Sequence, residues 1–252
     1  MITRADLASY LHEFLGVSKI KDYAPNGLQI EGRAEIRRIC TAVTASQAAL
    51  QSAYAQKADA LLVHHGYFWR GEDPVVSGIK RSRLSFALAK NINLYAYHLP
   101  LDLHSFLGNN VCFGQILGVE DVKTQDAGQT PGLLMTGRLK KPISTEDLSA
   151  RLALELGRAP LVLAPSSKPL SYLAWCTGAA QDYIEDAYRL GVDAYLSGEV
   201  SLRTYYEAHE LSLPYFSCGH HATERYGIEA LGVHLEEKFG ISHHFIPCDN
   251  PI

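Results

Sequence analysis

The sequence has few cysteines, and none of them is placed as in a disulfide framework or a zinc motif. Among 252 residues there are five, at positions 40, 112, 176, 218 and 248, with no Cys-x-x-Cys pair. An odd number of scattered cysteines fits a reducing compartment. The chain also lacks any stretch near the roughly 20 apolar residues of a membrane span. We therefore expect a cytoplasmic protein that does not enter a membrane.

An excess of positive charge is missing as well. Lysine and arginine number 23 against 27 aspartates and glutamates, which leaves a formal net charge of -4. Because nucleic-acid-binding domains usually present a basic face, we do not expect nucleic acid to be the main ligand. A Walker A loop, a paired-glycine dinucleotide motif and a zincin helix are also absent. Hydrophobic residues make up 47% of the chain, which is enough to fill a core.

Short apolar segments alternate with amphipathic ones along most of the chain. Strands are predicted at 39–43, 60–63, 94–97, 133–139, 161–164, 173–177, 194–197 and 215–217. Helices are predicted after the possible N-cap Thr3 and at 46–57, 82–90, 144–156, 182–190 and 222–239. Strands separated by helices favour an α/β fold with largely parallel, mixed sheets. The polar segment 121–130 is the predicted junction between an α/β domain at 1–125 and a second at 126–252.

Two segments of the chain resemble each other weakly. Residues 59–65 (DALLVHH) and 193–199 (DAYLSGE) both lead from Asp-Ala through a strand to polar side chains. In an open parallel sheet those side chains emerge at the carboxyl ends of the strands, where α/β proteins build their sites. The pattern indicates either an internal duplication or two ordinary units of the same kind.

The buried strand at 60–63 runs directly into two histidines. His64 and His65 follow four apolar residues and precede Gly66, where the chain can turn. Because neighbouring side chains at a strand end point to opposite sides, one imidazole could face each of two metals, or one could be a ligand and the other structural. A pair on the surface is the alternative, but the buried strand before it favours metal ligands.

A carboxylate between two histidines follows the next strand. His98, Asp102 and His104 come directly after the apolar segment 94–97. Divalent metals accept this mixture of imidazole nitrogen and carboxylate oxygen. Asp102 is the stronger candidate for a ligand, and the two histidines could instead orient the ligands through hydrogen bonds.

The start of the last predicted helix carries a further histidine and carboxylate. His220 and Glu224 are four residues apart. If the helix begins near His220, both lie on the face that continues to the apolar stripe at 228, 231, 235 and 239. The alternative is that Glu224 complements the helix dipole, but a carboxylate of that kind should lie opposite the stripe. We therefore expect Glu224 to point inward as a ligand.

Together these segments offer more donors than one ion usually needs. Three imidazoles and two carboxylates, with Asp102 or Glu224 as a bridge, suit two divalent ions about 3.5 to 4 Å apart, an arrangement typical of hydrolases. The same donors accept iron, manganese, zinc and nickel alike, so the sequence does not identify the metals.

Several sequence blocks occur in an order that resembles a known family. They are PNGLQIEG at 25–32, LLVHHG at 61–66, YHLPLD at 97–102, GNN at 108–110, SGE at 197–199 and GHHATE at 219–224. In combination they resemble the Nif-three-like family, the YbgI-type proteins known as GTP cyclohydrolase 1 type 2 homologs, over nearly the whole chain. The resemblance implies two interlinked α/β domains, a dinuclear metal site between them and a ring-shaped homohexamer.

The resemblance also implies roles for single residues. The metal ligands of the family match His64, His65, Asp102, His220 and Glu224, and polar residues of the same cavity match His98 and Glu199. One hypothesis is a metal-dependent hydrolase that opens the purine ring of GTP, in which a metal-bound hydroxide attacks and His98 or Glu199 moves protons. The other is a non-catalytic metal-binding scaffold or regulatory protein whose ions stabilise the assembly.

Overall fold

The structure, a computed structural model, describes residues 1–126 and 130–252. Its helices are α1 (Arg4–Phe14), α2 (Gln47–Ala55), α3 (Gly78–Ala89), α4 (Leu99–Asp102), α5 (Asn109–Leu117), α6 (Thr145–Leu156), α7 (Ile184–Arg189), α8 (Leu202–Leu211) and α9 (His220–Phe239). Its strands are β1 (Ile2–Thr3), β2 (Gly27–Ile30), β3 (Glu35–Ile36), β4 (Arg38–Thr44), β5 (Ala60–His65), β6 (Asn93–Ala96), β7 (Val119–Gln125), β8 (Leu134–Ile143), β9 (Leu161–Leu163), β10 (Leu170–Cys176), β11 (Ala194–Ser197), β12 (Tyr215–Ser217) and β13 (Ser242–Phe245). None of the helices in the described ranges is long and apolar enough to cross a bilayer.

The chain folds into two compact units that each contain two stretches of sequence. Unit 1 comprises 1–108 and 227–248, and unit 2 comprises 109–226 and 249–252. These ranges differ from the predicted domains at 1–125 and 126–252. On the N-terminal side, α5 and β7 belong to unit 2 and not to the first domain as predicted, because β7 pairs with β8. At the C-terminal side, residues 227–248 belong to unit 1. They include most of α9 and the strand β13, which pairs with β4.

The first half of the predicted junction at 121–130 is a strand in the structure. Residues 121–125 belong to β7, which lies at the edge of its sheet and pairs antiparallel with β8. Most side chains of this strand are exposed, so it carries no hydrophobic alternation that the sequence pattern could reveal. Residues 127–129, in the second half, lie outside the described residues.

Unit 1 is built on a five-stranded sheet that is covered by helices on both faces. The strand order is β13-β4-β5-β6-β2, and only β2 runs antiparallel to its neighbour. In β5, Ala60 and Leu62 face a core that includes apolar residues of α1 and α9. Leu61 and Val63 face a second core with residues of α2 and α3. A strand buried on both faces reads as a continuous apolar run, which is why β5 was recognisable from the sequence.

Short polar residues set the starts of several helices in both units. The Thr3 hydroxyl accepts a hydrogen bond from the Asp6 amide, as predicted from the sequence. Ser46 does the same for Ala49 at the start of α2, and Ser144 for Asp147 at the start of α6. Each of these bonds satisfies one of the backbone N–H groups that a helix leaves unpaired in its first turn.

Unit 2 has a six-stranded mixed sheet. Its order is β7-β8-β10-β11-β12-β9, and the three strands β10, β11 and β12 are parallel to one another. The flanking strands are antiparallel. Trp175 of β10 is fully buried among residues of α5 and α6, and its indole N–H donates to the Asn110 carbonyl. The prediction of an α/β fold with mixed sheets is therefore confirmed.

The two segments that resemble each other in sequence make the same hydrogen bonds. Asp59, just before β5, accepts from the amides of Arg37 and Arg38, which lead into the neighbouring parallel strand β4. Asp193, just before β11, accepts from the amides of Ser171 and Tyr172 at the start of the neighbouring strand β10. The similarity of the two units thus extends from sequence to contacts, as an internal duplication would produce.

Asp59 should contribute to the free energy of unfolding. Asp59→Ala removes a buried carboxylate from two strand amides, and we expect it to lower the free energy of unfolding by about 2 to 4 kcal/mol. Arg33→Ala is the matched control, because it removes only the partly exposed ion pair with the same carboxylate, worth about 1 kcal/mol or less. Urea denaturation of both variants measures the difference, and equal losses would contradict the role of the amide contacts.

Candidate metal centre

The two histidines of β5 lie at the carboxyl end of the unit 1 sheet. Their ring centroids are 4.5 Å apart, with an angle of 43° between the planes. The expectation that the imidazoles point to opposite sides is therefore wrong for the rings. Both residues stand at the end of β5, beyond the last residue of the neighbouring strand β6. His64 and His65 can consequently serve the same site.

His64 is oriented by a backbone carbonyl. Its Nδ1 lies 3.0 Å from the carbonyl oxygen of Tyr97, so this nitrogen carries the proton and donates. Its Nε2 lies 3.5 Å from Oδ1 of Asp102, so in the neutral ring a lone pair faces a carboxylate oxygen. That contact is repulsive unless a cation or a proton lies between the two atoms. The side chain of His64 is fully buried.

Asp102 reaches this position through the single helical turn α4. Because β6 runs parallel to β5, its carboxyl end lies at the same edge of the sheet, and α4 starts directly after it. Pro100 lies at the start of this turn, where its missing N–H costs no helical hydrogen bond. The prediction that Asp102 and the imidazoles of β5 come together is met for His64.

His98 lies with the two histidines of β5. A ring nitrogen of each of His64, His65 and His98 lies within 4.8 Å of the others, which is close enough for the three to hold one ion. His98 Nδ1 donates to Oδ1 of Asp22 at 3.0 Å, so its Nε2 is left as the possible donor to a metal. His98 is therefore a candidate ligand as well as the catalytic candidate that the sequence suggested.

Asp22 is a residue that the sequence analysis missed. Its carboxylate accepts from His98 Nδ1, from the Asn26 side chain and from the Leu99 amide. Burial acts to raise the pKa of Asp22, but these hydrogen bonds outweigh it and lower the pKa to about 2. The only signal in the sequence was its place just before the PNG turn, since Asn26 of that turn also accepts from the His98 amide.

His104 does not join the metal-ligand groups of the described residues. Its Nδ1 accepts from the Leu107 amide at 3.3 Å, and its ring lies 4.6 Å from that of Phe14. Burial lowers the pKa of His104, which favours the neutral ring. Of the two roles considered for His104, ligand and orienting group, the structure supports neither, and the residue caps a turn and packs against α1.

In unit 2, His220 and Glu224 lie together in the first turn of α9. His220 Nε2 is 3.0 Å from Oε2 of Glu224, whose side chain is almost fully buried. The helix begins at His220, as the sequence argument required. Farther along it, Ile228, Leu231 and Leu235 are fully buried, which confirms the apolar stripe.

Glu199 completes this second cluster. Its Oε1 accepts from His220 Nδ1 at 2.7 Å, which leaves Nε2 directed at Glu224. Burial lowers the pKa of His220, but the carboxylates of Glu224 and Glu199 outweigh it and raise the pKa to about 9. An imidazole between two carboxylates therefore attracts either a proton or a metal cation.

Gly178 is the second residue that the sequence analysis missed. It follows β10, and its φ of +70° is one that residues with a side chain rarely adopt. A Cβ at this position would lie 2.1 Å from Oε1 of Glu224 and 3.4 Å from Nε2 of His220. Gly178, Glu199 and His220 all follow the parallel strands β10, β11 and β12, so they meet at one edge of the sheet.

The two clusters have the chemistry that a divalent cation requires. Each offers imidazole nitrogens and a buried carboxylate, and in each the far ring nitrogen of a histidine is held by an oxygen acceptor. Metal-bound histidines are oriented in this way in proteins, because the hydrogen bond fixes which nitrogen has the lone pair. The residues present therefore fit resident metal ions.

Comparisons with known proteins identify the family of this chain. The family model Duf34/NIF3 (NGG1p interacting factor 3) matches residues 2–251. The chain belongs to the Duf34/NIF3 family. Among its Duf34/NIF3 relatives, a protein of Vibrio cholerae is 49% identical over 248 residues, covering 98% of each chain. One of Pseudomonas aeruginosa is 47% identical over 250 residues, covering 99% of each. Both are named "GTP cyclohydrolase 1 type 2 homolog".

A solved structure is also similar over the full length of this Duf34/NIF3 chain. The protein named "Structural genomics, protein ybgI, unknown function" is 44% identical, with a TM-score of 0.95 and complete coverage of both chains. The fold and the family are thus shown by sequence and by structure. The relatives' names refer to GTP cyclohydrolase only through homology, so the activity of this chain has to be argued from its residues.

Proposed function

We propose that this protein is a metal-dependent hydrolase with two divalent cations in each subunit. The proposed ligands are His64, His65 and Asp102 in unit 1, and His220 and Glu224 in unit 2. The observation that carries the proposal is the orientation of His64 and His220. In both units an acceptor holds Nδ1, so that Nε2 and a carboxylate oxygen face each other.

The number of donors exceeds what one cation needs. A divalent cation bound by imidazole and carboxylate takes four or more ligands. His220 and Glu224 provide two side chains, and unit 1 has three imidazoles and Asp102. These six side chains would suffice for two ions whose remaining positions are taken by water or substrate.

The chain's own residues suit hydrolysis around such ions. Bound divalent cations would supply Lewis-acid chemistry, lowering the pKa of a water molecule and polarising the substrate. Glu199 is placed to accept a proton, because its side chain is about one-third exposed and its Oε1 already bonds His220 Nδ1. His98 is nearly buried and is held by Asp22, so it suits a fixed ligand or positioning residue better than a mobile proton carrier.

GTP is the first substrate to test. The relatives of this chain in Vibrio cholerae and Pseudomonas aeruginosa carry GTP cyclohydrolase in their names, as homologs. Opening of the purine ring is a hydrolysis, which the proposed ions and Glu199 could perform. Protein loaded with manganese, iron, nickel or zinc and incubated with GTP and with a panel of phosphoesters should convert at least one of them.

The metal content of purified variants tests the proposal directly. We expect about two divalent ions per chain in the parent protein, and His64→Ala should lose at least one of them. His104→Ala is the control, because it removes a partly buried imidazole that bonds backbone amides instead of facing a carboxylate. Elemental analysis after gel filtration measures both. The proposal would be refuted if the parent protein held no metal, or if His64→Ala kept the metal content of the parent.

A non-catalytic scaffold is the second candidate. It is favoured by the burial of His64, Asp102 and Glu224, which limits access of a substrate to these ligands. In that case removal of the metals with a chelator should lower the melting temperature while no substrate of the panel is converted. Conversion that is lost in Glu199→Gln, with the metal content kept, would instead establish the hydrolase.

The assembly is a separate part of the proposal. The resemblance to the Nif-three-like family suggests a homohexamer, and multi-angle light scattering should then give about six chains per particle. A monomer at micromolar concentration would contradict it.

A further inference from the structure

Two aromatic side chains of unit 1 lie beside the histidine cluster. The ring of Tyr23 is 5.0 Å from that of His98 and 5.7 Å from that of Trp69. Trp69 in turn lies 5.1 Å from His98 and 6.0 Å from His65. Neither aromatic residue is needed to hold a metal ion or to move a proton. Their position next to the candidate ligands therefore calls for another explanation.

Backbone hydrogen bonds hold the two rings near each other. The amide of Arg70 donates to the Tyr23 carbonyl at 3.0 Å, and its guanidinium donates to the Asp22 carbonyl at 3.2 Å. On the other side of Trp69, Glu72 closes the turn, since its carboxylate accepts from the Trp69 amide and its own amide donates to the Trp69 carbonyl. The segments that carry the two rings are thus fixed to each other before any ligand binds.

Tyr23 is exposed and Trp69 is partly exposed, and the two rings do not cover each other. About half of Tyr23 is exposed, although its ring touches those of Trp69 and His98. The planes of Tyr23 and Trp69 are inclined by 36°, so they are not stacked face to face. An exposed aromatic ring beside a polar site is suited to bind a flat ring, because stacking needs only a π-face.

The two carboxylates near the rings already have partners. The carboxylate of Asp22 accepts from His98, Asn26 and Leu99. The carboxylate of Glu72 bonds the Trp69 amide and pairs with Lys80. The aromatic rings are therefore the groups beside this cluster that remain to be explained by a ligand.

We propose that Tyr23 and Trp69 form a stacking surface that holds a flat heteroaromatic ring of the substrate beside the His64, His65 and His98 cluster. The inference rests on the proposed function in taking this cluster as part of the reacting centre. Such a surface selects nucleobases and similar rings over sugars, phosphates and aliphatic substrates. It thereby places the ring, and the bonds to be hydrolysed in or near it, against the candidate ligands.

The chain provides its own reporter for this binding. It contains two tryptophans, Trp69 and Trp175, and Trp175 is fully buried in unit 2. A flat ring stacked on Trp69 should quench its fluorescence. We expect guanosine monophosphate and nicotinamide mononucleotide to quench the parent protein and the Trp175→Phe variant, whereas ribose 5-phosphate, which lacks the ring, should not. Trp69→Phe should lose the response.

Substitution of Tyr23 tests the second half of the surface. We expect Tyr23→Ala to weaken binding of the quenching probe by about fivefold to a hundredfold, and Tyr23→Phe to stay within about twofold of the parent, because it keeps the ring. Tyr188→Ala is the matched control, since Tyr188 is exposed to a similar extent but lies on α7 of unit 2. Binding that is equal in Tyr23→Ala and Tyr188→Ala would overturn the proposal.

Metal content and ring binding are measured separately, so the two proposals can fail independently. Tyr23→Ala should keep the metal content of the parent protein. If the protein holds its metals but no flat-ring probe quenches Trp69 at millimolar concentration, the stacking surface is refuted and the metal centre stands. If the protein binds no metal, titration of the probes in the presence of a chelator still decides whether a flat ring binds to Tyr23 and Trp69.

Discussion

Gly178→Ala is expected to weaken cation binding at the His220–Glu224 pair by about ten- to a hundredfold, although it removes no ligand. The added Cβ would lie 2.1 Å from Oε1 of Glu224, so the carboxylate would have to move away from its present position. Because Glu224 is buried and lies in a regular helix, it has little room to do so. Calorimetric titration of the metal-free variant with manganese or zinc measures the loss.

A matched control separates this displacement from backbone strain. Gly191 has nearly the same positive φ, +69°, but a Cβ there would meet nothing within 4 Å. Gly191→Ala should therefore lose some stability and keep the cation affinity of the parent protein. If both variants bound the cation as tightly as the parent, the close approach of Gly178 to Glu224 would have no part in the site.

The cation affinity should also rise with pH. In the absence of metal, burial lowers the pKa of His220, but Glu224 and Glu199 outweigh it and raise the pKa to about 9. A cation at Nε2 must displace this proton, so the affinity should increase by about tenfold per pH unit up to pH 9 and then level off. Titrations between pH 6.5 and 9 test this slope, and Glu224→Gln should flatten it.

The same pKa shift predicts how the metal-free protein responds to pH. His220 is protonated more readily in the folded chain than in the unfolded chain, whose histidine pKa is near 6.5. This contribution to stability is complete below about pH 6.5 and is lost as the pH rises through about 9. It amounts to about 2 to 3 kcal/mol. Urea denaturation with a chelator present measures it, and a metal-free protein that is equally stable at pH 6.5 and 9 would contradict the shift.

The elements that carried buried apolar residues were predictable from the sequence. Clear runs of apolar residues mark the strands β5, β11 and β12, because both faces of these strands are buried. A clear apolar stripe marks α9, because one face of this helix is buried. Helix α8 and strand β7 were missed. In α8 the buried residues are Thr204 and Ala208, whereas Leu202, Tyr205 and Tyr206 are largely exposed. Most residues of β7 are exposed as well. The large apolar residues of these two segments therefore do not mark buried positions.

The candidate ligands could be named from the sequence because they lie at strand ends or shortly after them. His64 lies at the end of β5 and Asp102 lies in α4, shortly after β6. The two strands are parallel, so the meeting of these residues at one edge follows from topology. Asp22 and Gly178 could not be named in the same way. Asp22 acts from an irregular segment, 76 residues before His98. Gly178 acts by lacking a side chain, which no pattern of residue types reveals.

By itself, the sequence determined the α/β alternation and the residue types at the strand ends, because burial imposes a period on the apolar positions and chemistry limits which side chains can hold a metal. The tertiary structure alone decided which nitrogen of each imidazole is held by a hydrogen-bond acceptor. That choice depends on acceptors supplied by other segments, namely Tyr97 for His64, Asp22 for His98 and Glu199 for His220. Contacts between distant segments come from folding, and local patterns do not encode them.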